Sequence, residues 1–73
     1  MQLCFRKDRR FYHVYLQSNF FGGTTVICSW GVSDSNRGGH KYIFCDNMRQ
    51  VDDALQKITK LRISRGYNSF SST

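Results

Sequence analysis

Proline and glutamate are both absent from this 73-residue chain. The first absence bears on its secondary structure, and the second bears on whether it can be an enzyme. Without proline, no residue with a locked φ angle and a missing backbone N–H interrupts a strand or a helix from within. Without glutamate, the carboxylates outside the loops are those of Asp46, Asp52 and Asp53, which helix capping and helix charge account for. His13 has no recognisable nucleophile and orienting acid to work with. We therefore predict that the protein is not an enzyme.

Cysteine is scarce, and its spacing indicates neither a disulfide framework nor a metal site. Cys4, Cys28 and Cys45 are widely separated, and His13 and His40 do not stand at zinc-finger spacing from them. We predict no metal, no cofactor, no small-molecule substrate, and free thiols in a reducing cytosol. No apolar run approaches transmembrane length, and no signal-peptide core is present. The expectation is a soluble, cytoplasmic protein without membrane partners.

Acidic residues are few compared with basic ones. The chain has eleven lysines and arginines and five aspartates, which gives a net charge of +6. A small domain with this excess is a candidate for binding polyanions, and nucleic acid is the commonest polyanion in a cell. The same excess can serve solubility alone, so charge favours nucleic acid only weakly. The basic residues cluster at the start of the chain and then spread over it: Arg6, Lys7, Arg9, Arg10, Arg37, Lys41, Arg49, Lys57, Lys60, Arg62 and Arg65.

Hydrophobic periodicity predicts an antiparallel meander. Residues 11–17 alternate between two faces, and residues 24–30 are rich in β-branched side chains that favour strands. Shorter strands are predicted over residues 2–5 and 40–45. A turn at 18–23 and a loop at 31–39 separate the central strands, because both segments are rich in Gly, Asn and Ser.

One long helix follows the strands and makes the predicted fold class α+β. Asn47 is the expected N-cap, with Gln50 at the capping-box position, and Gly66 is the expected residue just past the helix end. Residues 68–73 are predicted to be a flexible polar tail, and residues 1–73 to form a single domain. The apolar stripe of the helix is expected to pack on one face of the sheet; it consists of Val51, Ala54, Leu55, Ile58 and Leu61.

The second predicted strand has two different faces. One face, with Tyr12, Val14 and Leu16, is expected to meet the helix stripe. Phe11, His13 and Tyr15 then lie on the opposite face, and we predict that they form an interface. Ile43 is expected to lie on the same face as these three residues. An aromatic face left in water is unusual for a monomer and favours a homodimer or a docking surface.

Trp30 is the only tryptophan, and it lies in a Ser-Trp-Gly sequence beside the glycine-bearing loop. A single tryptophan in a small domain is more often a core residue. Beside mobile backbone and positive charge, however, it also has the character of a residue that stacks on a base or a sugar. Arg62 and Arg65 fall near the apolar side of the helix, and we interpret them as long side chains that cover the end of the core.

The order of motifs resembles the WGR domain, a family found beside the catalytic domains of poly(ADP-ribose) polymerases and as small bacterial proteins. The resemblance spans roughly residues 11 to 67. Where the family motif carries its arginine, this chain has Val32. The residues that carry the resemblance are Phe11, Tyr12, Val14, Leu16, Ser29, Trp30, Gly31, Gly38, Gly39, His40, Lys41, Ala54, Gly66 and Tyr67.

The resemblance implies an α+β fold and binding to DNA ends, nicks or single strands. In DNA-binding members the tryptophan packs on a sugar or base while basic residues hold the phosphate. Val32 is compatible with retained binding that is not relayed to a neighbouring domain, and also with a domain that no longer binds nucleic acid. The predicted nucleic-acid-binding residues are Trp30, Gly31, Arg37, Lys41, Arg9 and Arg10.

Two functional hypotheses follow. The first is a non-enzymatic nucleic-acid-binding module that uses basic residues and a stacking tryptophan. The second is a protein-interaction or regulatory adaptor that dimerises or docks through the face of Phe11, His13 and Tyr15. The sequence leaves open whether the nucleic acid is DNA or RNA, any base preference, and the physiological partner.

Overall fold

A computed structural model describes the backbone of residues 2–20 and 22–72 and, within these ranges, the side chains up to Ser69. In this part of the chain the predicted α+β class is confirmed: a five-stranded antiparallel sheet of order β4-β3-β2-β1-β5 carries one helix. The elements are β1 (Gln2–Lys7), β2 (Arg10–Ser18), β3 (Thr24–Val32), β4 (Gly38–Cys45), α1 (Met48–Ser64) and β5 (Asn68–Ser72).

The helix covers one face of the sheet, and the core lies between them. The alternation of β2 places Tyr12, Val14 and Leu16 on this covered face, where Val14 is buried and the other two pack around it. Burial of these apolar side chains against the helix stripe is the main source of stability in so small a domain. The buried members of the core are Phe5, Val14, Val26, Cys28, Cys45, Val51 and Leu55.

The prediction that Ile43 lies on the uncovered face is wrong. Ile43 stands opposite Val26 in the β3–β4 ladder and packs against the core. The loop between β3 and β4 sets their register, and a shift of one residue in register moves every side chain to the other face. The alternation of β4 alone could not reveal which of its two faces the helix covers.

The predicted polar tail instead forms a fifth strand over Asn68–Ser72; Thr73 lies outside the described residues. β5 pairs antiparallel with β1 from Arg6↔Asn68 to Gln2↔Ser72. Without β5, this side of β1 would present unpaired backbone N–H and C=O groups. The pairing satisfies these groups, although the polar sequence of β5 gives little reason to expect a strand.

Both ends of the helix follow their predicted caps. The amide N–H of Gln50 donates to Oδ1 of Asn47 at 3.0 Å, and Oε1 of Gln50 accepts from the amide of Asp46 at 2.7 Å. At the other end, Gly66 adopts a positive φ of 87°. Its N–H donates to the carbonyl of Ile63 at 3.0 Å, and the N–H of Tyr67 donates to the carbonyl of Arg62 at 3.1 Å. These two bonds form a Schellman motif, which turns Tyr67 back towards the last turn of the helix.

Candidate functional site

At one end of the sheet, the β1–β2 turn and the β3–β4 loop lie side by side, although they are far apart in the sequence. The backbone N–H of Ser33, in the β3–β4 loop, donates to the carbonyl of Arg9, in the β1–β2 turn, at 2.7 Å. The guanidinium of Arg6 donates to Oγ of Ser33 at 3.4 Å. The β3–β4 loop is also shorter than predicted, because β3 continues to Val32 and β4 already begins at Gly38. The turn and the loop therefore form one continuous surface.

A groove at this end is rich in arginine and aromatic side chains and is here called the arginine groove. Among the described residues, three cationic side chains line it, Arg10 from β2, Arg37 from the β3–β4 loop and Arg62 from the helix, and no carboxylate does. Its other lining residues are Phe11, Trp30, Gly31, Val32, Gly38 and Tyr67. An electropositive recess with aromatic walls has the chemistry that binds phosphate groups and flat rings.

The aromatic wall is part of a stack that reaches the core. Trp30 and Tyr12, which are cross-strand partners, lie with their ring planes 9° apart and their centroids 5.7 Å apart. The guanidinium carbon of Arg62 lies 4.4 Å from the centroid of Tyr12 and 5.3 Å from that of Tyr67. Arg62 thus keeps a cation–π contact with two rings while it lines the groove. This stack fixes the orientation of the groove's aromatic side chains before any ligand binds.

Trp30 is half-buried, and both sides of its ring have neighbours. One side stacks on Tyr12. On the other side a methyl group added to Gly39 would lie 2.8 Å from Cζ2 and 3.0 Å from Cε2 of the indole, so the ring covers the Gly39 backbone closely. Trp30 is therefore a structural side chain as well as a lining one, which agrees with the core interpretation, whereas contact with a base or a sugar stays a prediction.

Tyr12 has a perturbed hydroxyl. Burial raises its pKa from 10.0 to about 12, the thiol of Cys28 adds to the rise, and the charge of Arg62 acts in the opposite direction. Because the folded state holds this proton more tightly than the unfolded chain, the stabilisation is complete below pH 10.0 and is lost as the pH rises towards about 12.

Tyr12→Phe is expected to remove this part of the alkaline loss of stability. Wild-type protein should show a tyrosinate transition near pH 12 in phenolate absorbance, and the variant should lack it. Urea unfolding at several alkaline pH values should give a shallower decline for the variant than for the wild type. Equal slopes in the two proteins would contradict the assignment.

Arg9 lies beside the arginine groove rather than in it. It lines an adjoining recess with Lys7, Asp8 and the shared residues Arg10 and Arg37. The Nζ of Lys7 donates to the carbonyl of Arg65 at the helix C-terminus at 2.8 Å, so this cation already has a partner. The structure therefore brings Trp30, Gly31, Arg10 and Arg37 into one groove, as predicted for a common site, and places Arg9 at its margin.

Lys41 is separated from the other predicted phosphate ligands. It stands opposite Cys28 on the helix-covered face of β4 and lines a different groove, between β4 and the helix. Arg62 lines both grooves. The sequence predicted Lys41 beside Trp30 because one loop joins their strands, but it could not show that Lys41 lies on the helix-covered face and lines a different groove.

The predicted interface residues do share the uncovered face of the sheet. The rings of Phe11 and His13 lie 5.0 Å apart, and those of His13 and Tyr15 lie 6.3 Å apart. Across the ladder, Ile27 and Tyr42 stand in line with Tyr15. No described element packs over these side chains, so an aromatic surface remains open to solvent.

Arg62 and Tyr67 are site residues that the sequence analysis did not assign. Gly66 was the available signal, since a Schellman motif turns the residue after the glycine back onto the last helical turn. What the sequence could not supply is the angle at which the helix docks, which brings Arg62 over Tyr12.

The comparisons with known proteins give no relative. No family, curated protein or solved structure matches this chain. Within residues 2–20 and 22–72, no cluster of three or more His, Cys, Asp or Glu side chains is arranged to hold a metal ion. None of the helical structure in the described part combines the length and apolar character needed to cross a bilayer.

Proposed function

We propose that the protein is a small non-enzymatic module that binds nucleic acid in the arginine groove. The observation that carries the proposal is the convergence of Arg10, Arg37 and Arg62 with Trp30 and Tyr67, in a recess that no carboxylate of the described part of the chain lines. Guanidinium groups form paired, charge-assisted hydrogen bonds with phosphate oxygens, and aromatic rings stack on bases regardless of sequence.

The groove suits a strand end, a nick or a single strand better than an intact duplex. Its aromatic side chains need an unstacked base or an exposed sugar, which an intact duplex does not offer. The resemblance to WGR domains supports the same class of ligand. Arg37 lines the groove next to Val32, so a cation is present beside the position where the family motif carries its arginine. The free thiols of Cys4, Cys28 and Cys45 agree with a cytoplasmic location.

Arg37→Gln is expected to weaken binding to a single-stranded oligonucleotide and to make it less salt-dependent. Each phosphate contact contributes about −0.7 to the slope of log affinity against log salt for single strands, and the loss of one contact should reduce the slope by about that amount. Fluorescence anisotropy titrations of a labelled oligonucleotide across a salt series measure both quantities.

Arg49→Gln is the matched control, because it removes the same charge from an exposed residue at the start of the helix. The helix is 17 residues long, so Arg49 lies about 20–25 Å from its groove end at 1.5 Å per residue. Equal losses in the two variants would mean that net charge alone attracts the oligonucleotide. No binding by the wild type at low salt would refute the proposal.

A second function is favoured by the uncovered sheet face: self-association or docking through aromatic side chains. Tyr15, Tyr42 and Phe44 are 37%, 58% and 76% exposed. Apolar area left in water forfeits about 25 cal/mol per Å², which a second copy packed on this face would recover.

Tyr15→Lys is expected to convert a dimer into a monomer, because it places a charge at the centre of the aromatic face. Sedimentation equilibrium at increasing protein concentration gives the mass directly. Gln17→Lys is the control: it adds the same charge to the same face, one alternation further along β2. If wild-type protein stays monomeric at high concentration and moderate salt, self-association is ruled out and docking of another protein remains the role to test.

A further inference from the structure

The free edge of β4 carries little protection against pairing with another strand. β4 is the outermost strand beside β3, and its second half, Tyr42-Ile43-Phe44-Cys45, carries no charge. Natural proteins usually protect such an edge with charges, prolines or a covering loop, because its unpaired backbone groups are a template for another strand. On this edge, Lys41 is the only lysine or arginine.

An apolar groove runs alongside this edge, between β4 and the helix. Ile43, Ala54 and Ile58 lie along it, and Leu61 belongs to the helix stripe but remains 45% exposed there. Because the sheet does not fully cover Leu61, its apolar side chain can pack against a binding partner. The groove therefore offers sites for apolar side chains immediately beside a strand that can accept a neighbour.

The charges of the groove are unequal. Of the described residues, Lys41, Lys57 and Arg62 line it with a positive charge, and Asp53 lines it with a carboxylate. Lys41 and Lys57 are exposed, so their ammonium groups can turn towards a partner without loss of packing. This balance favours an occupant with acidic groups.

We infer that the β4 edge and its groove bind an extended acidic and apolar peptide segment of another protein by strand addition. The backbone of the segment extends the sheet beyond β4, and every second side chain of the segment points towards the helix. Among these side chains, apolar ones enter the groove beside Ile43 and Leu61, and acidic ones approach Lys41 and Lys57. β4 from Lys41 to Cys45 matches about five residues of an added strand, or roughly 17 Å at 3.3 Å per residue. This site shares Arg62 with the arginine groove, but the β4 edge, Lys41 and Lys57 lie outside that groove.

The test uses the full chain and a fluorescent, acetylated and amidated peptide of about eight residues, long enough to span the edge, in which every second residue is threonine and the residues between are valine and aspartate in turn, so that one face carries both. A control peptide carries proline in place of one valine and the threonine after it, which removes a backbone donor on each side of the strand. Lys41→Glu reverses a charge in the groove. Lys60→Glu reverses the same charge on the other side of the helix, where Lys60 lies near Leu3 and Leu55.

The inference predicts saturable peptide binding that Lys41→Glu weakens about tenfold and Lys60→Glu leaves nearly unchanged, since only the first charge faces the peptide. The proline peptide should not bind. Hydrogen exchange followed by NMR should show slower exchange of β4 amides when the peptide is bound, which general electrostatic attraction would not produce. Binding without slower exchange at β4 would overturn the inference. So would equal effects of the two lysine variants, peptide-independent pairing of two copies through β4, or displacement of the peptide by an oligonucleotide whose own binding is lost in Lys41→Glu.

Discussion

Phe5→Ala is expected to lower the free energy of unfolding by about 3–5 kcal/mol, the usual cost of removing a large buried aromatic side chain. Phe5 has no exposed surface and is among the largest fully buried side chains of the described core. Its ring meets Tyr12 edge-on, with centroids 6.5 Å apart and planes at 67°. At about 0.05–0.15 kcal/mol per residue, a domain of this size has roughly 4–11 kcal/mol of stability in total, so this loss removes a large share of it.

Cys4→Ala supplies the matched control on the neighbouring residue of β1, which points to the uncovered face opposite His13. It should change stability by less than about 1 kcal/mol, because Cys4 is only half-buried and little apolar area is removed. Urea unfolding followed by the fluorescence of the single tryptophan measures both variants. Similar losses for the two would mean that the second face of the sheet is also buried, which the described fold does not allow.

Trp30→Ala should have the second-largest effect, and it should act on both stability and binding. Loss of the stack on Tyr12 and of the cover over Gly39 is expected to cost about 2–3 kcal/mol, below the cost for a fully buried aromatic residue. Because Tyr12 and Gly39 already lie against the two ring faces, the indole offers a ligand only the edge that lines the arginine groove, and its loss should weaken oligonucleotide binding by about twofold to tenfold. Circular dichroism and anisotropy measure the two effects.

Trp30→Phe separates the two roles. Phenylalanine keeps a ring beside Tyr12 but lacks the larger indole that covers Gly39, so most of the stability should return while part of the affinity stays lost. If folded Trp30→Ala binds the oligonucleotide as the wild type does, Trp30 is a core residue only. In that case the arginines alone would carry the proposed function.

The parts of the fold that the sequence predicts well are those set by local chemistry. The alternation of β2, the helix stripe and the caps at Asn47 and Gly66 each depend on residues within a few positions of one another. β5 and the face of Ile43 depend instead on pairing between distant segments. A serine-rich segment becomes a strand here because β1 offers it a backbone partner, and no local pattern reports that.

The candidate site shows the same division. Arg10, Trp30, Gly31 and Arg37 meet because the β1–β2 turn and the β3–β4 loop flank adjacent strands, a consequence of the predicted meander. Two further features of the site depend on how the helix lies across the sheet. Lys41 lies outside the arginine groove, and Arg62 and Tyr67 line it. Docking geometry of this kind comes from packing of side chains far apart in the sequence.

An NMR titration of isotope-labelled protein with a short single-stranded oligonucleotide at low salt tests the central claim most directly. The proposed function predicts that the largest shifts fall on the indole N–H of Trp30 and on the amides of Gly31, Arg37 and Gly38, and that they diminish as salt is added. Residues of the uncovered face, such as Tyr42 and Phe44, should not shift. Shifts confined to that face, or no shifts at all at low salt, would contradict the claim.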